Sequence, residues 1–263
     1  MALIDPVVLK ARLGVLSSRF DVDALDECDS TNSELMRRAD RGAPAGTVIV
    51  ADRQSAGRGR RGRVWLSTPA DSLTFSLLWR FPGDISRLSG LSLAVGVGLV
   101  KGLASLGVQG VCLKWPNDIL LKSPDGFAKL AGVLVELASD RKGTQAIIGV
   151  GVNLATPMGE FPQAVAGLAD CCSALPERNA LLAALLSEIA GVLGVFAVDG
   201  FLGLKTQWQL YHAWQGLPVQ ILAEGAEALN GVCLGVDDAG SLLLDTGRGI
   251  EYIYSGDVSL RRL

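Results

Sequence analysis

The sequence predicts an α+β protein. A sheet of mixed or antiparallel strands with packed helices would occupy residues 1–214, followed by a small all-β unit, a C-terminal barrel, over residues 215–263. Spacers between the apolar strands of the central region are short, as in Ser139-Asp140-Arg141-Lys142-Gly143. That suits antiparallel hairpins, because parallel crossovers need about a dozen residues or more. Two apolar stretches, Ile85 to Leu106 and Glu177 to Val198, have helical length. From Gln215-Gly216-Leu217-Pro218 onward the pattern becomes short strands divided by turn residues.

In chain order, Pro6 to Ser17 reads as a short amphipathic helix. Asp29-Ser30-Thr31-Asn32-Ser33-Glu34 reads as a helix start rich in cap residues, and that helix stops at Gly42-Ala43-Pro44. Thr47 to Asp52 and Leu73 to Arg80 read as strands flanking a basic loop. After the glycine-containing helix come strands at Val111 to Trp115, Ile119 to Leu121, Leu130 to Leu137 and Gln145 to Asn153. Residues 155–172 look like a loop, and helices follow at Glu177 to Val198 and Phe201 to Trp214. The C-terminal strands are Val219 to Ala223, Gly231 to Val236, Ser241 to Asp245, Gly249 to Ser255 and Asp257 to Leu260. So small a β unit is marginal alone and should lean on the first domain.

A hydrophobic share of 49% in 263 residues supports a large core, and the net charge of −3 argues against a nucleic-acid-binding protein. Cysteines 28, 112, 171, 172 and 233 lack CxxC spacing, and His212 is the single histidine. No structural zinc set can be assembled from them, and reduced thiols in a cytoplasmic protein are expected. Met1-Ala2-Leu3-Ile4-Asp5-Pro6 lacks signal-peptide character, and Leu88 to Leu106 reads as a buried helix, so no membrane association is expected.

Between Asp52 and Trp65 lie five arginines and three glycines. Glycine admits close backbone approach and arginine offers planar donor forks for carboxylate or phosphate. Gly57-Arg58-Gly59-Arg60-Arg61-Gly62 matches GxGxxG, but a strand follows it where a dinucleotide fold needs a helix. Lys114-Trp115-Pro116-Asn117-Asp118 admits two readings, a plain turn or a cation and carboxylate beside a phosphate. Lys129 begins an apolar strand and could be merely exposed. Glycines in Gly149-Val150-Gly151-Val152-Asn153 suggest close approach of a ligand or another backbone.

Taken in order, Asp29-Ser30-Thr31-Asn32, Gln54 with Gly57 to Trp65, Lys114 to Asp118, Lys129-Leu130-Ala131-Gly132, Gly149 to Asn153 and Val258-Ser259-Leu260-Arg261 resemble biotin protein ligases (biotin–acetyl-CoA-carboxylase ligases). The resemblance runs from about residue 26 to the end. It implies a class II synthetase-like mixed or antiparallel sheet with an SH3-like C-terminal barrel. It also implies an ATP-dependent, AMP-forming ligase that makes biotinoyl-5′-AMP and passes biotin to a lysine of a biotin carboxyl carrier domain. By position, Ser30, Thr31, Asn32 and Gln54 would read biotin's ureido head. Arg58, Gly59 and Arg60 would close on its carboxylate, and Trp65 and Gly132 would wall its chain. Lys129 and Arg60 are the candidate catalytic residues. Arg58, Arg60, Trp65, Asn117, Asp118, Lys129, Asn153 and Arg261 would serve ATP, with Asp118 the candidate Mg²⁺ ligand. A monomer or homodimer is implied, without DNA binding.

Three departures from the family stand out. The chain starts close to the catalytic region, which suggests a ligase without repressor function. Lys122 to Ala128 form an extension before Lys129. No tryptophan follows Asn153 to cover adenine, leaving Phe161 or Leu168 as substitutes. A lipoate or octanoate ligase or transferase of the same fold is the alternative, and a nucleic-acid-binding regulator a more distant one. The polar Ser-Thr-Asn and Gln set favours a ureido ligand, because a dithiolane or alkyl tail offers nothing to hydrogen-bond.

Overall fold

The computed structural model describes residues 3–140, 143–223, 225, 227–256 and 258–263. Expectations for Met1, Ala2, Arg141, Lys142 and Asp257 lie outside them. Two sheets organise the described residues. The first has seven strands in the order β1-β2-β3-β7-β6-β5-β4. They are β1 (Asp21–Cys28), β2 (Thr47–Gln54), β3 (Ser72–Phe81), β4 (Val111–Lys114), β5 (Asp118–Ser123), β6 (Gly126–Asp140) and β7 (Gly143–Asn153). The second has five, β8 (Pro218–Ala223), β9 (Leu229–Val236), β10 (Leu242–Asp245), β11 (Ile250–Ile253) and β12 (Val258–Arg262), in the order β11-β10-β9-β8-β12.

The first sheet is mixed because of β1, which sequence patterning leaves unassigned. Five of its eight residues, Asp21, Asp23, Ala24, Asp26 and Glu27, are weak strand formers. An edge strand tolerates this composition. β1 pairs parallel with β2 through α2 (Thr31–Asp40), the crossover that parallel pairing requires. All other described pairings in both sheets are antiparallel.

Alternation along the strands divides the sheet into two faces. Val48, Val50, Phe75, Leu77, Ile148, Val150 and Val152 point to the main core. On that side lie α1 (Pro6–Leu13), α3 (Leu91–Ser105), α4 (Arg178–Asp199) and α5 (Leu202–Tyr211). The helix expected from Ile85 to Leu106 is broken at Gly90, which adopts φ +79°. A Cβ on Gly98 or Gly102 would press within 3.0–3.2 Å of α4, so these glycines set a helix–helix contact. Among the described residues two helical stretches are long and apolar enough for a membrane span, the interrupted Ile85–Ser105 and Arg178–Asp199, and both are mostly buried here. The opposite face packs α2 through a small cluster of Leu35, Ala39, Ile49, Leu78 and Ile147. Beyond that cluster the same face is lined by small and polar residues, and there the site forms.

Candidate active site

Residues 147, 149, 151 and 153 share the α2 face of β7. Gly149 lies beneath Asn32, and an added Cβ would overlap the Asn32 amide; at Gly151 it would overlap the Trp65 indole. Glycine is required at both positions by side chains descending onto the strand. Asn153, at the strand's end, donates to the carbonyls of Ala166 (3.0 Å) and Lys129 (3.3 Å). The motif thus sets out three stations along one strand.

At the first station the N-terminus of α2 meets β2, β3 and β6. Ser30 occupies the N-cap position, yet its side chain makes no capping hydrogen bond. Thr31 donates its backbone N–H to Gln54 Oε1 (2.8 Å), and its hydroxyl lies 3.2 Å from the same oxygen. Ser76 Oγ lies 2.7 Å from the Thr31 hydroxyl and 2.5 Å from Asn32 Oδ1. Asn32 Nδ2 donates to Glu136 Oε2 (2.8 Å), which also accepts from Arg58 (2.9 Å). Ser30, Thr31, Asn32 and Ser76 are all buried, so this network is held in low dielectric, where satisfied hydrogen bonds fix geometry.

The second station is apolar. Trp65 stands over Gly151 and beside Gly132, with the Lys129 ammonium 5.7 Å from its ring centroid. Its indole N–H is buried without an acceptor. Lys129 reaches this face because of a register shift in the β5–β6 pairing, where Ile119 pairs with Ala131 but Leu120 with Lys129. The extra residue, Leu130, turns into the core, and Lys129 comes to share a face with Gly132.

Cations dominate the third station. Asp118 Oδ1 accepts from Lys129 (2.6 Å) and Oδ2 from Lys114 (3.2 Å). Burial raises the Asp118 carboxyl, but the two ammonium groups more than offset this and hold it well below the usual carboxylate range. Burial pushes Lys114 down to about 8, against the pull of Asp118. Arg60 donates to Asn117 Oδ1 (3.1 Å) and to the carbonyls of Ser255 (2.9 Å) and Gly256 (2.6 Å). Asn117 in turn donates to the carbonyl of Val133 (2.8 Å). Arg61, at φ 59°, and Arg63 both donate to Ser259 Oγ, at 2.8 and 3.3 Å. The basic loop is therefore latched onto the C-terminal sheet, which also contributes Arg261.

One cavity gathers Ser30, Thr31, Asn32, Gln54, Arg58, Gly59, Arg60, Trp65, Asn117, Asp118, Lys129, Gly132, Asn153 and Arg261. Phe161 lines it too, whereas Leu168 is wholly buried in the core and lies apart from the cavity lining. His212 is buried against Trp208, ring centroids 4.5 Å apart, and burial pushes it down to about 4. The five cysteines are free thiols. The sequence assigns no individual role to Ser76, Glu136, Gln163 or Ser259, all of which the structure places at the site. Alternating Ser72, Thr74 and Ser76 in an otherwise apolar strand was a legible sign of a polar face. Gln163 carried no signal at all.

The Biotin/lipoate A/B protein ligase family model matches residues 26–153, and the Biotin protein ligase C terminal domain model matches residues 216–261. The chain is 34% identical to the bifunctional ligase/repressor BirA of Escherichia coli over 91% of this chain and 74% of that protein. It is 32% identical to the biotin–[acetyl-CoA-carboxylase] ligase of Paracoccus denitrificans, over 89% of this chain and 98% of that one. Among solved structures, the Aquifex aeolicus biotin protein ligase in complex with biotin and ATP superposes with a TM-score of 0.77 at 31% identity, covering 92% of this chain and 99% of that chain. With its site built on both matched regions, the chain belongs to the biotin protein ligase family.

Proposed function

We propose that this cavity catalyses both halves of biotin transfer: adenylation of the biotin carboxylate by ATP, then acylation of a lysine on a biotin carboxyl carrier domain. The observation that carries this reading is the order of the three stations along β7. A polar pocket, an apolar wall and a cationic cluster match a ureido head, an alkyl chain, and a carboxylate that must meet a phosphate.

In the first half-reaction a carboxylate oxygen attacks the α-phosphorus, and the bond to the pyrophosphate oxygen breaks. Lys129, Arg60 and Arg261 are placed to cancel the repulsion of two anions and to stabilise charge as it develops. Holding both reactants in one closed cavity supplies much of the remaining acceleration. In the second, the carrier amine attacks the acyl carbon and AMP leaves. Trp65 covers the chain region, and its unpartnered N–H is a donor for the bound adenylate. Asn117 and Asn153 brace the adenylate end of the cavity through their backbone acceptors, with Phe161 the ring available to adenine.

The donors present do not form a protein-held metal site. Both Asp118 oxygens accept from lysines, and no cluster of three metal-ligating side chains occurs among the described residues. Mg²⁺ fits as part of the Mg-ATP substrate, bound mainly by phosphate and water, and Asp118 acts on the lysines. Cytoplasmic action on a carboxylase subunit completes this reading.

Biotin-dependent exchange of pyrophosphate into ATP, measured beside lipoate and octanoate, tests it. Exchange with biotin alone is expected; exchange with octanoate and none with biotin would replace it with the lipoate-type alternative.

A further inference from the structure

The carboxylate of Glu136 stands at the polar end of the cavity without lining it. It projects from β6 just beyond Leu134, which does line the cavity. Glu136 Oε2 accepts from Asn32 Nδ2 (2.8 Å) and from Arg58 Nη2 (2.9 Å), so one oxygen joins the start of α2 to the basic loop. Asn32 Nδ2 also donates to the carbonyl of Leu134, at the longer distance of 3.4 Å. Both acceptors lie on the same side of the amide.

A carboxylate and a backbone carbonyl can only accept hydrogen bonds. Together they decide which way round the Asn32 amide lies: its NH2 group faces Glu136 and Leu134, and its Oδ1 faces Ser76 above Gly149. A reversed amide would set oxygen against oxygen at both contacts, inside a buried site where unmet polar groups are costly. Ser76 Oγ engages one lone pair of Oδ1, and the second is left for a ligand. This end of the cavity therefore shows an acceptor to a ligand N–H. The same carboxylate holds Arg58 here, whereas Arg60, Arg61 and Arg63 latch the loop to the C-terminal sheet.

We propose that Glu136 is a positioning residue for head-group selection: it holds the Asn32 amide so that Oδ1 meets a ureido N–H, and it anchors Arg58 across that end of the cavity. The assignment rests on the ligase reading, which supplies a head group carrying N–H donors. A bound ligand then extends one chain of hydrogen bonds, from its N–H through the Asn32 amide to Glu136, and bonds in such a chain reinforce one another. A head group with an acceptor in that place meets Oδ1 oxygen to oxygen. Because Glu136 and Leu134 forbid the amide to turn, the pocket cannot adapt and rejects it. Arg58 follows the same carboxylate, so its guanidinium closes the head-group end of the cavity.

Calorimetric titration without ATP tests this, using biotin and the two cyclic carbamate analogues in which one or the other ureido N–H is replaced by a ring oxygen. Each exchange keeps the ring and turns a donor into an acceptor. The wild-type protein should bind the analogue whose oxygen faces Asn32 about tenfold to a hundredfold more weakly than biotin. Glu136→Gln, whose carboxamide can donate to a reversed Asn32, should weaken biotin about tenfold and shrink that discrimination by a similar factor. A merely structural loss would weaken biotin and both analogues alike. In adenylation assays of Glu136→Gln the KM for biotin should rise well beyond any rise in the KM for ATP. Arg58→Gln should weaken biotin severalfold in the wild-type background and much less in the Glu136→Gln background. Wild-type binding of both analogues as tight as that of biotin, or discrimination undiminished by Glu136→Gln, would overturn the selection role. Equal Arg58→Gln losses in the two backgrounds would overturn the anchoring role. A wild-type protein that binds octanoate and not biotin would overturn the ligase reading instead.

Discussion

Lys114 and Asp118, four apart in a turn, leave a plain turn and a phosphate site equally open from sequence. The structure shows why spacing alone could not decide. The partner that changes Asp118's role is Lys129, brought across by the register shift at Leu130. A pH dependence follows. Lys114 titrates at about 8, so its ammonium is charged below that value and neutral above it. If that charge serves the phosphates, kcat/KM for ATP falls as pH rises through about 8. Asp118→Asn removes the neighbour that favours the charged form, so the falling limb should move to lower pH. A limb that stays in place after Asp118→Asn would show that Lys114 is not the titrating group. At Lys129, Lys129→Ala should reduce adenylation by several hundredfold or more while changing biotin affinity only a few fold, as expected for a contact strongest in the transition state. Equal losses in a binding titration and in kcat/KM would make it a binding residue instead.

Strands and helices were largely legible because their periodicities are strong. β7 is the clearest case, its alternation of Gly149, Val150, Gly151, Val152 and Asn153 dividing core from site. β1 was not legible, since acidic residues mask an edge strand whose pairing is decided by α2 crossing over it. The glycines of β7 signalled close approach, but Asn32 and Trp65 descend from distant segments that no local pattern identifies. Gly151→Ala should therefore overlap Trp65 and cost about 1–3 kcal/mol by overpacking. Biotin affinity should fall about tenfold or more, and a variant with unchanged affinity would show that Trp65 does not wall the ligand. The basic loop makes a comparable case. Like charges suggest a self-repelling, mobile segment, yet Arg60, Arg61 and Arg63 find acceptors on the C-terminal sheet. Ser259→Ala removes the shared acceptor of Arg61 and Arg63. Measured by the release rate of biotinoyl-5′-AMP, the loss should be about 5- to 30-fold, equivalent to roughly 1–2 kcal/mol of hydrogen bonding. An unchanged release rate would detach the latch from ligand retention.

The same latch makes the two sheets a single physical unit. Val219, Ile221, Cys233, Val236, Leu242, Leu244 and Leu260 belong to one continuous buried cluster with the first sheet and its helices. Trp115, wholly buried, donates its indole N–H to the carbonyl of Gly240 (3.0 Å), and Ser89 donates to that of Ala239 (2.7 Å). A five-stranded unit of this size buries too little by itself to be independently stable. Its contribution is the surface that covers Trp115 and the arginines that close the site. Truncation after Gln215 would expose that tryptophan, remove the Ser259 acceptor of Arg61 and Arg63, and leave Arg60 without the Ser255 and Gly256 carbonyls. Calorimetric unfolding of the whole chain should therefore give one transition, whose van't Hoff and calorimetric enthalpies agree. Two resolved transitions, or a residue 1–215 fragment that folds and adenylates biotin at the full rate, would show that the C-terminal sheet is an appendage and not a wall of the active site.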